Sequence, residues 1–145
     1  MMPFVTRFAV LSGLLVCAIM ACGTDTPLAD YIPSSDQESA LKIVLLGFQD
    51  GANRRDAVKV AGLIHENATL MVDRERKLLS KPDYVKILPQ RLADNPPFAL
   101  GKPKMSLSGN MAEVSIYMSR GEARFLMTFH LTYEDQRWTI SGWTY

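Results

Sequence analysis

Apolar and polar residues alternate along the last third of the chain. Two such runs, one on each side of Arg120-Gly121, place an apolar residue at every second position between Ala112 and Tyr133. This period of two is typical of a strand with one buried face, whereas helices repeat every 3.6 residues. A shorter run over 105–107 precedes them, and a last run over 137–145 is rich in aromatic and β-branched residues. The pattern predicts three or four antiparallel strands joined by short turns.

The residues before these strands have helical periodicity. Ser35 stands three places before Glu38, which is the spacing of a capping box. Apolar residues then recur at i, i+3, i+4 and i+7. This spacing predicts one apolar helix face, formed by Leu41, Val44, Leu45 and Phe48. A first helix is therefore predicted over 36–50.

Two further helices are predicted before the strands begin. Asn53 caps the second helix, with Asp56 in its first turn, and this helix ends near His65. After a short strand over 69–72 and a charged turn, Ser80 caps the third helix, which has a proline in its first turn. Three helices followed by an antiparallel meander predict an α+β fold in which the helices pack on one face of a curved sheet.

An apolar run near the beginning of the chain ends at Ile19-Met20-Ala21-Cys22. The run starts at Phe8, after the single positive charge of Arg7, and its fourteen residues are fewer than the about 20 that span a bilayer. The junction resembles the lipobox of bacterial lipoproteins, with an aliphatic residue three places before the cysteine and a small one just before it. An ordinary secretory signal is the alternative, but Ile19 fits its preference for small residues poorly.

This resemblance implies a signal peptide over 1–21 and a fatty-acylated Cys22 that anchors the chain to a membrane. Two or more acyl chains hold a soluble domain stably at a bilayer. Gly23, rather than aspartate, follows the cysteine, and by resemblance to sorting rules this favours the outer membrane of a two-membrane cell, on the periplasmic side. The Gly- and Pro-containing stretch over 22–35 predicts a tether, so the domain itself is expected over 36–145.

Removal of the signal peptide changes the composition of what remains. The chain has 16 Lys plus Arg and 15 Asp plus Glu, so the loss of Arg7 leaves 15 of each. A neutral domain has no general attraction for nucleic acid, and none is expected as a partner. Cys17 leaves with the signal peptide and Cys22 is the lipid site, so no cysteine remains for a disulfide or a metal. A metal site and a cofactor are not expected.

The strand region resembles the nuclear transport factor 2-like superfamily. The similarity is carried by a Gly109-Asn110 turn followed by Ala112, and by an acidic turn followed by Trp138-Thr-Ile140. The stretch over 53–69 is also similar to the second helix of that superfamily. The resemblance implies a cone-shaped cavity between helices and sheet. It implies no single activity, because this scaffold hosts isomerases, cyclases, dehydratases and transport adaptors.

Candidate catalytic residues are few. The predicted buried face of the two long strands has no ionisable side chain, since it consists of Val114, Ile116, Met118, Phe125, Met127, Phe129 and Leu131. The first helix has no tyrosine on its apolar face, where a ketosteroid-isomerase-like site would carry one. Tyr84, Asp56 and His65 are the remaining candidates for acid–base chemistry. Structural roles explain the three residues better than catalysis does: helix capping explains Asp56, a helix terminus explains His65, and a core position with its hydroxyl reaching water explains Tyr84.

The opposite face of the sheet is predicted to be unusually aromatic. Strict alternation predicts that five side chains point away from the helices, namely Tyr117, Leu126, His130, Trp143 and Tyr145. Exposed aromatic side chains are enriched at protein interfaces, so this face is a candidate homodimer contact. The alternative is a bulge that shifts the register by one residue and turns some of these rings into the core.

Two functions follow from these observations. The first is a membrane-anchored lipoprotein of the cell envelope whose domain binds a small apolar ligand or another envelope protein without catalysing a reaction. The alternative is an acid–base enzyme of the isomerase, cyclase or dehydratase type that acts on a hydrophobic substrate in the cone. The two functions differ in whether an ionisable group lines the cavity.

Overall fold

The computed structural model describes residues 26–145. Its helices are α1 (Asp36–Asn53), α2 (Ala57–Gly62) and α3 (Lys81–Asp94), and a short 3-10 turn, Leu28–Asp30, precedes them. Its strands are β1 (Ile64–Val72), β2 (Lys77–Ser80), β3 (Ala99–Leu100), β4 (Lys104–Ser108), β5 (Met111–Arg120), β6 (Ala123–Glu134) and β7 (Arg137–Thr144). The predicted α+β class is confirmed, with three helices packed on one curved sheet.

The strands form one sheet in the order β2-β1-β7-β6-β5-β3, and β4 also pairs with β5. Neighbouring strands are antiparallel except β1 and β7, which run parallel. The core lies between this sheet and the helices, and its largest fully buried side chains include Phe129, Leu41, Leu45, Leu70, Leu88, Ile116 and Ile140. The helices therefore cover one face of the sheet and leave the other to solvent.

The segment before α1 packs against the domain. The side chain of Leu28 is fully buried. Lys42 Nζ donates to the carbonyl oxygens of Ala29 at 2.8 Å and Tyr31 at 2.7 Å. The prediction of a tether over 22–35 is therefore wrong from Leu28 onward, because a single buried leucine produces no periodicity that a sequence could reveal. Residues 22–25 lie outside the described part of the chain.

The predicted cap of α1 is confirmed with one difference. Ser35 Oγ accepts a hydrogen bond from the amide of Glu38 at 3.1 Å. The Glu38 carboxylate accepts from the amide of Ser34 at 2.8 Å, one residue before the cap, and from the hydroxyl of Tyr31 at 2.9 Å. The Ser34 hydrogen bond is the main reason that the pKa of Glu38 lies below its ordinary value. The helix continues to Asn53, beyond the predicted end at residue 50.

The second helix is shorter than predicted, and its cap is different. Asp56, rather than Asn53, caps α2 by accepting a hydrogen bond from an amide of the first turn at 2.9 Å. Asn53 ends α1, and its side-chain amide bonds the backbone carbonyl and amide of Phe98 at 2.7 and 2.9 Å. His65 lies in β1 and not at a helix end. The prediction was wrong because Ile64, the first residue of β1, also satisfies the helical spacing.

The strand predicted over 69–72 is one half of a hairpin. β1 starts earlier, at Ile64, and β2 follows after a turn, so this hairpin separates α2 from α3. Strand β2 is short and mostly exposed, which is why it shows no alternation in the sequence. Ser80 caps α3 as predicted, with its Oγ 3.5 Å from the amide of Asp83, and the helix continues through Pro89.

A bulge in β7 changes which of its side chains face the core. One extra residue of β7, Ser141, lies opposite the step from His130 to Leu131 of β6. Trp143 therefore faces the helices and is only 6% exposed. Tyr145 follows on the same side of the sheet, where its ring contacts Phe125. The predicted outer-face placement of Trp143 and Tyr145 is wrong, because a one-residue shift reverses the side of every later side chain.

The parallel pair of β1 and β7 depends on a close approach of the two backbones. A Cβ atom at Gly142 would lie 2.8 Å from the carbonyl oxygen of Thr69, closer than side chains tolerate. The next residue adds a second link, because Trp143 Nε1 donates to the carbonyl oxygen of Met71 at 2.8 Å. These contacts fix Trp143 at the centre of the domain.

Candidate functional site

One end of the domain opens into a cavity of about 1270 Å³. It lies between the carboxyl-terminal ends of α1 and α3, the turn after β1, and the β5–β6 hairpin. Typical ligand cavities measure about 300–1,000 Å³. The space is therefore large enough for a small organic molecule.

The floor of this cavity is a cluster of aromatic rings. Phe48 of α1 is the central ring, with centroids 5.9 Å from Phe98, 5.5 Å from Phe129 and 5.6 Å from Trp143. Tyr84 of α3 packs edge-on against Trp143 at 5.4 Å. Separations and tilts of this kind are favourable for aromatic pairs. Four rings of this cluster, those of Phe48, Phe98, Tyr84 and Trp143, line the cavity with apolar surface.

Arg120 lies on the wall of the cavity at the end of β5. Its guanidinium carbon is 5.5 Å from the ring centroid of Phe98, and Nη1 donates to Asn95 Oδ1 at 3.0 Å. Its Nε is buried and has no hydrogen-bond partner among residues 26–145. Burial is the main reason that the pKa of Arg120 lies below its ordinary value, and the nearby charge of Arg91 lowers it further.

Asn95 holds Arg120 in a defined orientation. Its Nδ2 donates to the carbonyl oxygen of Arg91 at 2.7 Å, and this bond directs Oδ1 toward the guanidinium. Asn95 is the residue directly after α3, where two prolines follow and limit the freedom of the backbone. The geometry at Arg120 is therefore fixed by the end of α3.

The mouth of the cavity carries charges of both signs. Arg91 Nη1 forms an ion pair with Asp73 Oδ1 at 2.8 Å, and Tyr145 donates its hydroxyl to the carbonyl oxygen of Asp73 at 3.0 Å. Glu75 and Asp94 add two carboxylates, both exposed. Arg74 is also exposed at the mouth, so three carboxylates and two guanidinium groups lie around the entrance.

Tyr84 is the one predicted catalytic candidate that lines the cavity. Its side chain is 5% exposed, and this burial raises the pKa of the phenol to about 12, against the opposing effect of the Arg91 guanidinium. A phenol with such a pKa is protonated at neutral pH. Tyr84 can therefore donate a hydrogen bond into the cavity, but it cannot act as a base there.

The other two candidates lie elsewhere. Asp56 is exposed at the start of α2, where its carboxylate is used as the helix cap. His65 Nε2 lies 2.6 Å from Glu134 Oε2, at the far end of β6 from the cavity. The structure therefore does not bring Tyr84, Asp56 and His65 together.

Sequence reasoning missed Arg120, although a signal was present. Arg120 continues the even-numbered series of β5 that starts with Val114, Ile116 and Met118, so alternation places it on the same face. Its position beside Gly121 led instead to its assignment as a turn residue. The expectation that this face lacks ionisable groups is therefore wrong at its last position.

Tyr117 and His130 do face away from the helices. Tyr117 is 40% exposed, and the guanidinium carbon of Arg124 lies 3.9 Å from its ring centroid. His130 Nδ1 lies 3.8 Å from Glu113 Oε2 on the neighbouring strand. Their role in an interface between two copies stays a prediction.

The proposed lipid site, Cys22, lies outside the described residues. Among residues 26–145, no helix is long and apolar enough to cross a bilayer. Within the same range, no three His, Cys, Asp or Glu side chains are grouped as metal ligands would be.

Comparison with solved structures places this fold among the nuclear transport factor 2-like proteins. A Shewanella baltica protein of this type, of unknown function, is 18% identical, with a TM-score of 0.61 over 78% of this chain and 94% of its own. A Streptomyces avermitilis member of that family, named as a candidate dehydratase, is 13% identical, with a TM-score of 0.61 over 72% and 91%. A Silicibacter pomeroyi protein of unknown function is 16% identical, with a TM-score of 0.59 over 77% and 96%.

These similarities establish the fold and no more, because the sequences are less than 20% identical. No protein-family model matches the chain. No curated protein matches it either.

Proposed function

We propose that this protein is a membrane-anchored ligand-binding module of the bacterial cell envelope. Its domain binds a small, largely apolar molecule in the cavity described above, and an acylated Cys22 holds it at the membrane. The observation that carries the binding role is the composition of the cavity. Aromatic and aliphatic side chains form its depth, and a few polar groups converge on it from the end of α3 and from β5.

The side chains inside the cavity favour binding over acid–base catalysis. An isomerase or dehydratase needs a proton acceptor within hydrogen-bond reach of its substrate. The ionisable groups on the inner wall are Arg120 and Tyr84, and both are donors at neutral pH. Of the three carboxylates at the mouth, Asp73 pairs with Arg91, Asp94 accepts from Gln90, and Glu75 is exposed to solvent.

Ligand binding can be tested with a neutral fluorescent probe, N-phenyl-1-naphthylamine. The probe is expected to bind one site per chain with increased fluorescence. Ala52 lines the cavity from α1, so Ala52→Trp should place an indole ring in the cavity and reduce the increase. Val58→Trp is the matched control, because Val58 is 85% exposed on the neighbouring helix. Equal binding by both variants would exclude the cavity as the site.

The anchor can be tested in bacteria with the full chain. Cys22→Ala should abolish incorporation of labelled palmitate and release the protein from the membrane fraction. Cys17→Ala is the matched control, because it removes the other cysteine of the precursor and leaves the lipobox-like junction intact. Labelling and membrane association of the Cys22 variant at the level of the control would contradict the proposal.

A further inference from the structure

Arg120 is a charged group that the described structure leaves incompletely satisfied. A guanidinium has five N–H donors and no acceptor. One donor bonds Asn95, the Nε donor is buried without a partner, and no carboxylate of residues 26–145 forms an ion pair with Arg120. Removing a cation from water without a counter-charge is unfavourable. Arg120 is partly exposed on the cavity wall, and because its Nε is buried, the terminal nitrogens are the donors that a ligand can reach.

The groups around Arg120 would also favour an anion. Arg91, although paired with Asp73, is close enough to lower the pKa of Arg120 by charge repulsion. The protonated hydroxyl of Tyr84 is a further donor in the same cavity. An anion placed between these groups would gain hydrogen bonds from Arg120 and would relieve the repulsion between the two guanidinium groups.

The surroundings limit which anion fits. At the mouth, the three carboxylates of Asp73, Glu75 and Asp94 outnumber the two guanidinium groups of Arg74 and Arg91, so the entrance disfavours a dianion such as phosphate. Beside Arg120 the wall is apolar, with Phe98 under the guanidinium and Phe125 against Tyr145 nearer the entrance. A single negative charge attached to an apolar body matches both features.

We propose that the cavity binds amphipathic monocarboxylates, with the carboxylate at Arg120 and the apolar body on the aromatic wall between Phe98 and Phe125. This inference rests on the proposed ligand-binding function and names the chemical class of the ligand. Charge-assisted hydrogen bonds from the terminal nitrogens of the guanidinium to the carboxylate make Arg120 the specificity-determining residue. Arg91 and Tyr84 contribute favourable charge and a hydrogen-bond donor.

Decanoate and decanol provide a direct test, because they differ in the charged group and share the same chain. Both are titrated against the protein loaded with the neutral naphthylamine probe. Decanoate is expected to displace the probe at about tenfold lower concentration than decanol, since hydrogen bonds to charged groups are the stronger kind. Inorganic phosphate, the third ligand, should not displace the probe at all.

Arg120→Met should remove the difference between the two ligands. Decanoate binding is expected to weaken about tenfold, and decanol binding should not change. Arg74→Met is the matched control, because Arg74 also lines the mouth but is exposed to solvent; this variant should retain the preference for decanoate. Arg120→Met loses the hydrogen bond to Asn95 and the contact with Phe98 together with an unpaired charge, so its melting temperature should stay near that of the wild type, and a cooperative melt would exclude misfolding as the cause of lost binding.

The outcomes separate this inference from the proposed function. Equal affinity of the wild-type protein for decanoate and decanol would overturn the inference and leave ligand binding intact. The same conclusion would follow if Arg120→Met kept the preference for decanoate. Displacement by phosphate would indicate a site for free anions and would also overturn it. Failure of the neutral probe itself to bind would refute the proposed function first.

Discussion

The burial of Leu28 predicts that the segment before α1 contributes substantially to stability. Leu28 is fully buried, and Leu28→Ala removes three carbon atoms from the core. At about 0.8 kcal/mol for each buried methylene, the transfer contribution alone is about 2.4 kcal/mol. The cavity that remains adds to this, so the free energy of unfolding should fall by about 3 kcal/mol. For a domain of about 120 residues, this corresponds to a decrease in melting temperature on the order of 10 °C.

Urea unfolding of the purified protein, followed by tryptophan fluorescence, measures this change, because Trp138 and Trp143 are both buried. Ile32→Ala is the matched control. Ile32 is an aliphatic residue of the same segment, but its side chain is 86% exposed. Its replacement should change the free energy of unfolding by less than about 0.5 kcal/mol. A cost for Leu28→Ala equal to that of the control would show that the segment is not part of the core.

Three further predictions concern the sheet and the first helix. Gly142→Ala should destabilise the domain by about 2 kcal/mol or more in urea unfolding, because its Cβ would meet the carbonyl oxygen of Thr69; an unchanged midpoint would contradict the close approach. Trp143→Phe should cost about 1–3 kcal/mol, because a carbonyl of β1 loses its donor; a near-neutral effect would contradict a buried hydrogen bond. The pKa of Glu38 is lowered in the folded state, chiefly by the hydrogen bond from the Ser34 amide. The ionised Glu38 side chain therefore stabilises the folded state above the unfolded pKa of about 4.3, and this stabilisation is lost as the pH falls through the folded pKa. Glu38→Gln should therefore be less stable than the wild type at pH 6, and the two should converge by pH 3; a difference that persists in acid would refute this assignment.

The strands of the second half could be predicted well because one of their faces is buried. Over β5 and β6, the predicted inner set from Val114 to Leu131 lies in or beside the core. The prediction failed at β7, where Ser141 adds one residue to the strand. A bulge does not show in the alternation of apolar and polar residues along the sequence. From the bulge onward every side chain of the strand, including Trp143, lies on the opposite face of the sheet from the one predicted.

The site was harder to predict than the fold. Tyr84 is a candidate from its place on the third helix, and it lines the cavity as a buried residue, while a catalytic role for it stays a prediction. Arg120 was missed because charge at the end of a strand is the usual composition of a turn. Its role depends on Asn95 and Phe98, which approach it from another part of the chain. Such tertiary contacts have no local pattern, so only a structure reveals them.

The docking of the N-terminal segment on α1 has a consequence for where a lipid on Cys22 would be attached. Five residues separate Cys22 from the buried Leu28, so a lipid on Cys22 would keep the domain within about 20 Å of the bilayer surface. Lys42 holds this segment near the beginning of α1, whereas Ala52, ten residues later, lines the cavity. At 1.5 Å per residue the two positions are about 15 Å apart along the helix. The docked segment and the cavity therefore lie apart along α1, so a lipid on Cys22 would be attached at a distance from the cavity entrance.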